Sequence, residues 1–207
     1  MMTDALPSLA AVSGLLVRSQ LSPGPDIYFV VHTALSRGFR AAMAVAAGIC
    51  TGFCVQATLV CTVGTGVMQQ PWSRYVLYAA AAWLLYLAWR IFPRSLRGAD
   101  MASSRSTAAT LPGMVWQGFL CNILNVKCLL FIGGLCMGPL GQYAGQYPWY
   151  APALVVSLTL TALAGWALWS GLLQWAPVRR AYAAHAAAID AVFSLVLAAF
   201  AVLLLFD

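Results

Sequence analysis

Two short runs hold the residues best able to do chemistry. The first is Ser22-Pro23-Gly24-Pro25-Asp26 and the second is Asn122-Ile123-Leu124-Asn125-Val126-Lys127. Two prolines and a glycine within three residues remove amide donors and unwind a helix. A shift of 101 positions lays Pro25 on Val126 and Asp26 on Lys127. An acid and a base therefore occupy corresponding points inside two long apolar stretches. Charges deep in a bilayer persist chiefly where they pair or line a polar path. Unwound backbone at that depth is tolerated only beside protein or water. Pro23, Gly24, Pro25, Asp26, Asn122, Asn125 and Lys127 are thus the candidate translocation site. A plainer reading also stands. The prolines can shape a bundle, the two charges can fix helix register, and the asparagines can bond across helices as packing glue.

The elements that must position these residues are membrane spans. Of 207 residues, 62% are hydrophobic and 8% charged, with a mean hydropathy of +0.84. A soluble domain carries roughly 25% charged residues, so most of this surface meets lipid. Glutamate is absent, and the acids are Asp4, Asp26, Asp100, Asp190 and Asp207. The net charge of +6 comes from arginines set singly or in pairs between apolar stretches. They form no basic patch, so nucleic acid is not a partner. Met1–Leu6 has no basic segment of the kind a secretory signal needs, and the first apolar stretch is expected to persist. All six cysteines lie in apolar stretches and read as small hydrophobes. Cys50 and Cys54 share a helix face that could suit a soft metal, but no histidine or carboxylate joins them. No metal, cofactor or enzymatic activity is expected.

Stretches of ~20 apolar residues cross a bilayer. The expected fold is an all-α integral membrane protein with six spans. They are placed at Leu6–Thr33, Ala41–Met68, Trp72–Phe92, Gly113–Gly138, Trp149–Trp175 and Ala183–Phe206. Pro139, Gly141, Gly145 and Pro148 separate the fourth from the fifth. Arg37, Arg40, Arg90, Arg94, Arg97, Arg105, Arg179 and Arg180 fall on one side, against Arg74 on the other. Positive loops stay cytoplasmic, so both termini are expected in the periplasm. The segment 93–112 reads as a cytoplasmic linker within a single domain, with repeat one at 6–92 and repeat two at 113–206. Three spans on each side of it enter from opposite faces, as in a 3+3 inverted repeat whose first helices are broken.

Other residues carry weaker signals. Arg18 stands eight residues before Asp26, about 12 Å along a helix, and is expected at the outer headgroups or a cavity. Asp190 is expected to cap the last span or to meet Arg179 or Arg180. His32 and His185 read as ordinary interfacial histidines. Gly48-xxx-Gly52 permits close helix contact, although the motif is common.

The break at Pro23-Gly24-Pro25-Asp26, then Arg37-Gly38-Phe39-Arg40-Ala41 and the Gly48–Gly52 helix, resembles the lysine exporter (LysE/RhtB-type) family. The run Gly118-Phe119-Leu120-Cys121-Asn122-Ile123-Leu124-Asn125-Val126-Lys127 is similar to its Gly-Phe-x-x-Asn-x-x-Asn-Pro-Lys segment. The resemblance spans nearly the whole chain. It implies a small bacterial inner-membrane exporter that moves amino acids or close derivatives outward against inward proton flow, with a homodimer left open. Val126 replaces the usual proline, so the second break is expected to be softer than the first. Met137-Gly138-Pro139-Leu140 replaces a usual Pro-Gln-Phe, and Asp190 in the last span is a further departure.

An amino acid offers one ammonium and one carboxylate. Asp26 can receive the first and Lys127 the second, with Asn122 and Asn125 adding neutral hydrogen bonds. Protonation of Asp26 from outside would release the ammonium. Competing readings are export of another small solute or metal cation on the same fold, a non-transporting accessory protein, and a membrane-embedded enzyme.

Overall fold

The structure, a computed structural model, describes residues 2–20, 24–63, 73–92 and 110–206. Regular structure among them is helical, in eight segments. These are α1 (Met2–Ser19), α2 (Pro25–Arg37), α3 (Phe39–Val63), α4 (Ser73–Ile91), α5 (Leu111–Ile123), α6 (Val126–Tyr143), α7 (Tyr150–Leu172) and α8 (Ala176–Phe206). By length and composition α3, α6, α7 and α8 can each cross a membrane. The chain is a multi-pass membrane protein. At 25 residues α3 rises about 37 Å, more than the ~30 Å hydrocarbon core. By contrast α2 and α5, of 13 residues each, rise only about 20 Å.

Local chemistry explains the boundaries. Gly38 ends α2 at φ 87°, where its N–H donates to Ala34 O at 3.1 Å and the chain turns directly into α3. A side chain at that φ is strained, so the turn calls for glycine. Thr110 caps α5, its hydroxyl accepting from Gly113 N at 3.3 Å. The helix therefore starts inside the segment read as linker; residues 93–109 lie outside the described residues. The break expected at Pro139 comes later, because α6 continues through that proline to Tyr143. Pro139 forfeits one backbone bond, and Ala144 N still closes on Leu140 O at 2.9 Å. Within α8, His185 adopts φ −124° and ψ 16°. That kink sets the first turns apart from the apolar length expected to begin at Ala183.

The core centres on α3, which packs chiefly on α5 and also on α7, α2 and α6, while α7 receives α1 and α4 pairs with α8. Glycines let α3 and α5 approach. A Cβ on Gly48 would collide with Val115 O, and one on Gly118 with Val45 O. Gly52 seats Asn122, whose Oδ1 lies 3.1 Å from where a Cβ would stand. The common Gly48-xxx-Gly52 motif thus sets the approach that places Asn122. Polar contacts tie α1 to α7. Ser8 bonds Tyr150 and Ser13 bonds Ser157, each at 2.8 Å. Gln20 Nε2 donates to Ala162 O at 2.9 Å. Large apolar side chains such as Leu160, Leu168, Leu195 and Leu203 stand exposed on the outer surface, as lipid contact requires.

Candidate functional site

The two helix interruptions form by different means. Gly24 precedes α2 in extended conformation and makes no side-chain cap, and Pro25 opens the helix. Ser22 and Pro23 fall on or beside this break but lie outside the described residues. Between α5 and α6, Asn125 does the work that proline does elsewhere. Its Oδ1 accepts from Cys128 N at 3.2 Å, capping α6. Val126 therefore does not prevent the second break. Asn122 O and Asn125 O keep backbone donors in Asn125 N and Leu129 N, and Gln56 of α3 adds a side-chain donor to this group of carbonyls. Its Nε2 lies 2.8 Å from Asn122 O, 3.2 Å from Ile123 O and 3.5 Å from Asn125 O.

Asp26 sits in the first turn of α2, where the helix dipole favours a carboxylate. Asn122 Nδ2 donates to its Oδ2 at 2.8 Å, and Cys121 Sγ donates to its Oδ1 at 3.5 Å. The carboxylate of the first break is thus held by the last turn of α5, just before the second. The same Nδ2 lies 3.5 Å from Cys128 Sγ. Lys127, one residue into α6, lies across Gly24. A Cβ on Gly24 would stand 3.1 Å from Lys127 Nζ and 3.4 Å from its Cδ. Glycine at 24 leaves room for the lysine chain.

Between the C-terminal half of α1 and the N-terminal half of α6 lies a cavity of about 390 Å³. Gly24, Asp26, Asn122, Asn125 and Lys127 all line it, so five of the seven candidate residues meet in one space. Pro25 is buried beside it, and Pro23 lies outside the described residues. Arg18 also lines the cavity, one of its two expected places. No group of three His, Cys, Asp or Glu side chains among the described residues converges as metal ligands would.

A second polar cluster differs from expectation. Asp190 meets neither of its expected arginines. Its Oδ1 accepts from Tyr182 OH at 2.7 Å and lies 3.6 Å from His32 Nε2. His32 is therefore no idle interfacial residue, since it joins α2 to α8. The rings of Tyr28 and Phe193 meet at 5.1 Å, tilted by 52°, between the same helices, and Gln174 Nε2 reaches Ala34 O at 3.3 Å. Spacing along one chain could not reveal these cross-helix partners. Gln56 did leave a signal, as a lone amide within the apolar run Cys54–Val60.

A comparison with family models adds an independent observation. The model described as "LysE type translocator" matches residues 17–207. The chain belongs to that family. Relatives include a threonine efflux protein of Salmonella typhi, 30% identical over 181 residues that cover 82% of this chain and 84% of the relative. A cysteine/O-acetylserine efflux protein of Klebsiella pneumoniae is 29% identical over 114 residues, 54% of each chain. One from Escherichia coli O6:H1 is 28% identical over 113 residues, again 54% of each. No solved structure matches the chain. As a LysE-type translocator with several helices able to cross a membrane, it is a multi-pass membrane protein.

Proposed function

We propose that the chain is a proton-coupled secondary exporter with six spans in a 3+3 inverted repeat, taking one amino acid at a time between its two broken helices. One observation carries this reading. Asp26 from the first break and Lys127 from the second line a single cavity, and a zwitterion needs one group of each sign. The N-termini of α2 and α6 both end there, and half-helix N-termini at mid-membrane favour anionic groups. The solute carboxylate then sits by Lys127 and the start of α6, while its ammonium sits by Asp26, which Asn122 orients.

Pairing α1 with α2 and α5 with α6 gives six crossings. The packing supports two-fold related halves: α3 lies on α5 as α7 lies on α1, and the counterparts α3 with α7 and α4 with α8 meet each other. With positive loops inside, α1 and α6 form the outer half of their spans and α2 the inner half. The cavity then faces the periplasm. On the cytoplasmic side α2 is held shut by His32–Asp190–Tyr182, Tyr28–Phe193 and Gln174–Ala34. A proton arriving on Asp26 from outside weakens its hold on the ammonium. Its delivery inward, after the cytoplasmic contacts open, readies the carboxylate for the next solute. One proton enters as one amino acid leaves.

Proteoliposomes with an imposed proton gradient test the coupling. Wild-type protein is expected to drive amino-acid efflux that collapses when the gradient is dissipated. Asp26→Asn is expected to reduce gradient-driven efflux at least about tenfold, since a charge-assisted hydrogen bond contributes about 1.5–3 kcal/mol. Gradient-driven efflux at the wild-type rate in that variant would remove Asp26 from the coupling.

A further inference from the structure

Building on that reading of the cavity, we propose that the exported amino acids are neutral ones with bulky apolar side chains, in preference to hydroxylated or basic ones. The cavity is divided in chemistry. Its polar groups gather at the breaks, where they take the amino and carboxylate groups that every amino acid shares. The rest of the wall comes from four helices: Leu16, Ile49, Phe53, Phe131, Leu135 and Trp166. That wall is what the solute's side chain meets. Its volume of about 390 Å³ falls at the small end of ligand pockets, roughly 300–1,000 Å³. One amino acid with a large side chain suits it.

Among the described residues, hydroxylated side chains find little to bond. Of the polar residues beside the apolar wall, Ser19 donates its hydroxyl proton to Leu16 O at 2.7 Å, and Gln20 donates to Ala162 O at 2.9 Å. The other amide atom of Gln20, Oε1, has no hydrogen-bond partner but is fully buried against Gly165 in the α1–α7 seam, closed off from the cavity surface. A hydroxyl moved from water to such a wall loses its hydrogen bonds without replacement. Basic side chains fare no better. Arg18 and Lys127 both line the cavity against the one carboxylate of Asp26, so a further cation is repelled. An aliphatic or aromatic side chain meets neither penalty and gains by leaving water.

The test loads proteoliposomes in turn with leucine, phenylalanine, threonine and lysine under an inward proton gradient. Leucine and phenylalanine are expected to leave at least about tenfold faster than threonine, a discrimination within the reach of an apolar pocket. Lysine is expected at the background of protein-free vesicles. Phe131→Ala is expected to lower the phenylalanine-to-threonine ratio about tenfold, because it deletes apolar wall and leaves the charged end intact. Threonine or lysine leaving as fast as leucine from wild-type protein would overturn the apolar preference while amino-acid export stands. Efflux of none of the four above background would overturn both.

Discussion

The two helix breaks start their following helices, α2 and α6, by opposite chemistry. The first rests on backbone restriction: Gly24 is extended, Pro25 fixes the start of α2, and no side chain caps it. The second rests on side chains: Asn125 caps α6, and Gln56 donates to Asn122 O, which also accepts from Asn125 N, and lies 3.2 Å from Ile123 O. The first break ends in an acid and the second in a base. Interrupting a membrane helix thus requires only that its orphaned backbone groups find partners. Whether proline or an amide does this is open to each half separately.

That contrast can be broken experimentally. Gln56→Leu should do the most damage, because it withdraws the side-chain donor from Ile123 O in the second break, while Asn122 O and Asn125 O keep the backbone donors Asn125 N and Leu129 N. A loss of about 1–3 kcal/mol is expected for leaving a buried acceptor unsatisfied, read as a lower melting temperature in detergent. Asn125→Ala should follow, at about 0.5–2 kcal/mol for a lost N-cap. An unchanged melting temperature in both would show that the second break does not depend on side chains. Gly24→Ala separates function from stability at the first break. Its new Cβ meets the far end of a flexible lysine chain, so melting should change little while export falls as Lys127 is displaced. Val126→Pro should do least. Proline is favoured at the first helical position, and the Val126 amide makes only a short bond to Leu124 O at 3.1 Å. Wild-type melting and export are expected; loss of folding would mean that the second break cannot adopt the chemistry of the first.

Much of this was legible in the chain, for physical reasons. Pro25 and Asp26 within an apolar stretch announce an interruption and a charge whatever packs around them. The offset of 101 positions from Asp26 to Lys127 could be read because both charges stand alone in apolar stretches. What stayed hidden depends on partners from distant segments. Asp190 has Arg179, Arg180 and His185 near it in sequence, yet it bonds Tyr182 of its own helix, across the kink at His185, and meets His32 of α2. Pro139 looked like a helix end, but a single missing donor does not stop α6 when the bonds beyond it still form. Arg18 could not be assigned between headgroups and cavity until the course of α1 against α7 was known.

The central claim is that Asp26 and Lys127 act on one solute in one cavity. Equilibrium binding of an exported amino acid to purified wild-type, Asp26→Asn and Lys127→Met protein tests it most directly. Each substitution is expected to weaken binding at least about tenfold. In the double variant the two losses should not simply add, because both charges hold the same molecule. Wild-type affinity in both single variants would contradict the account.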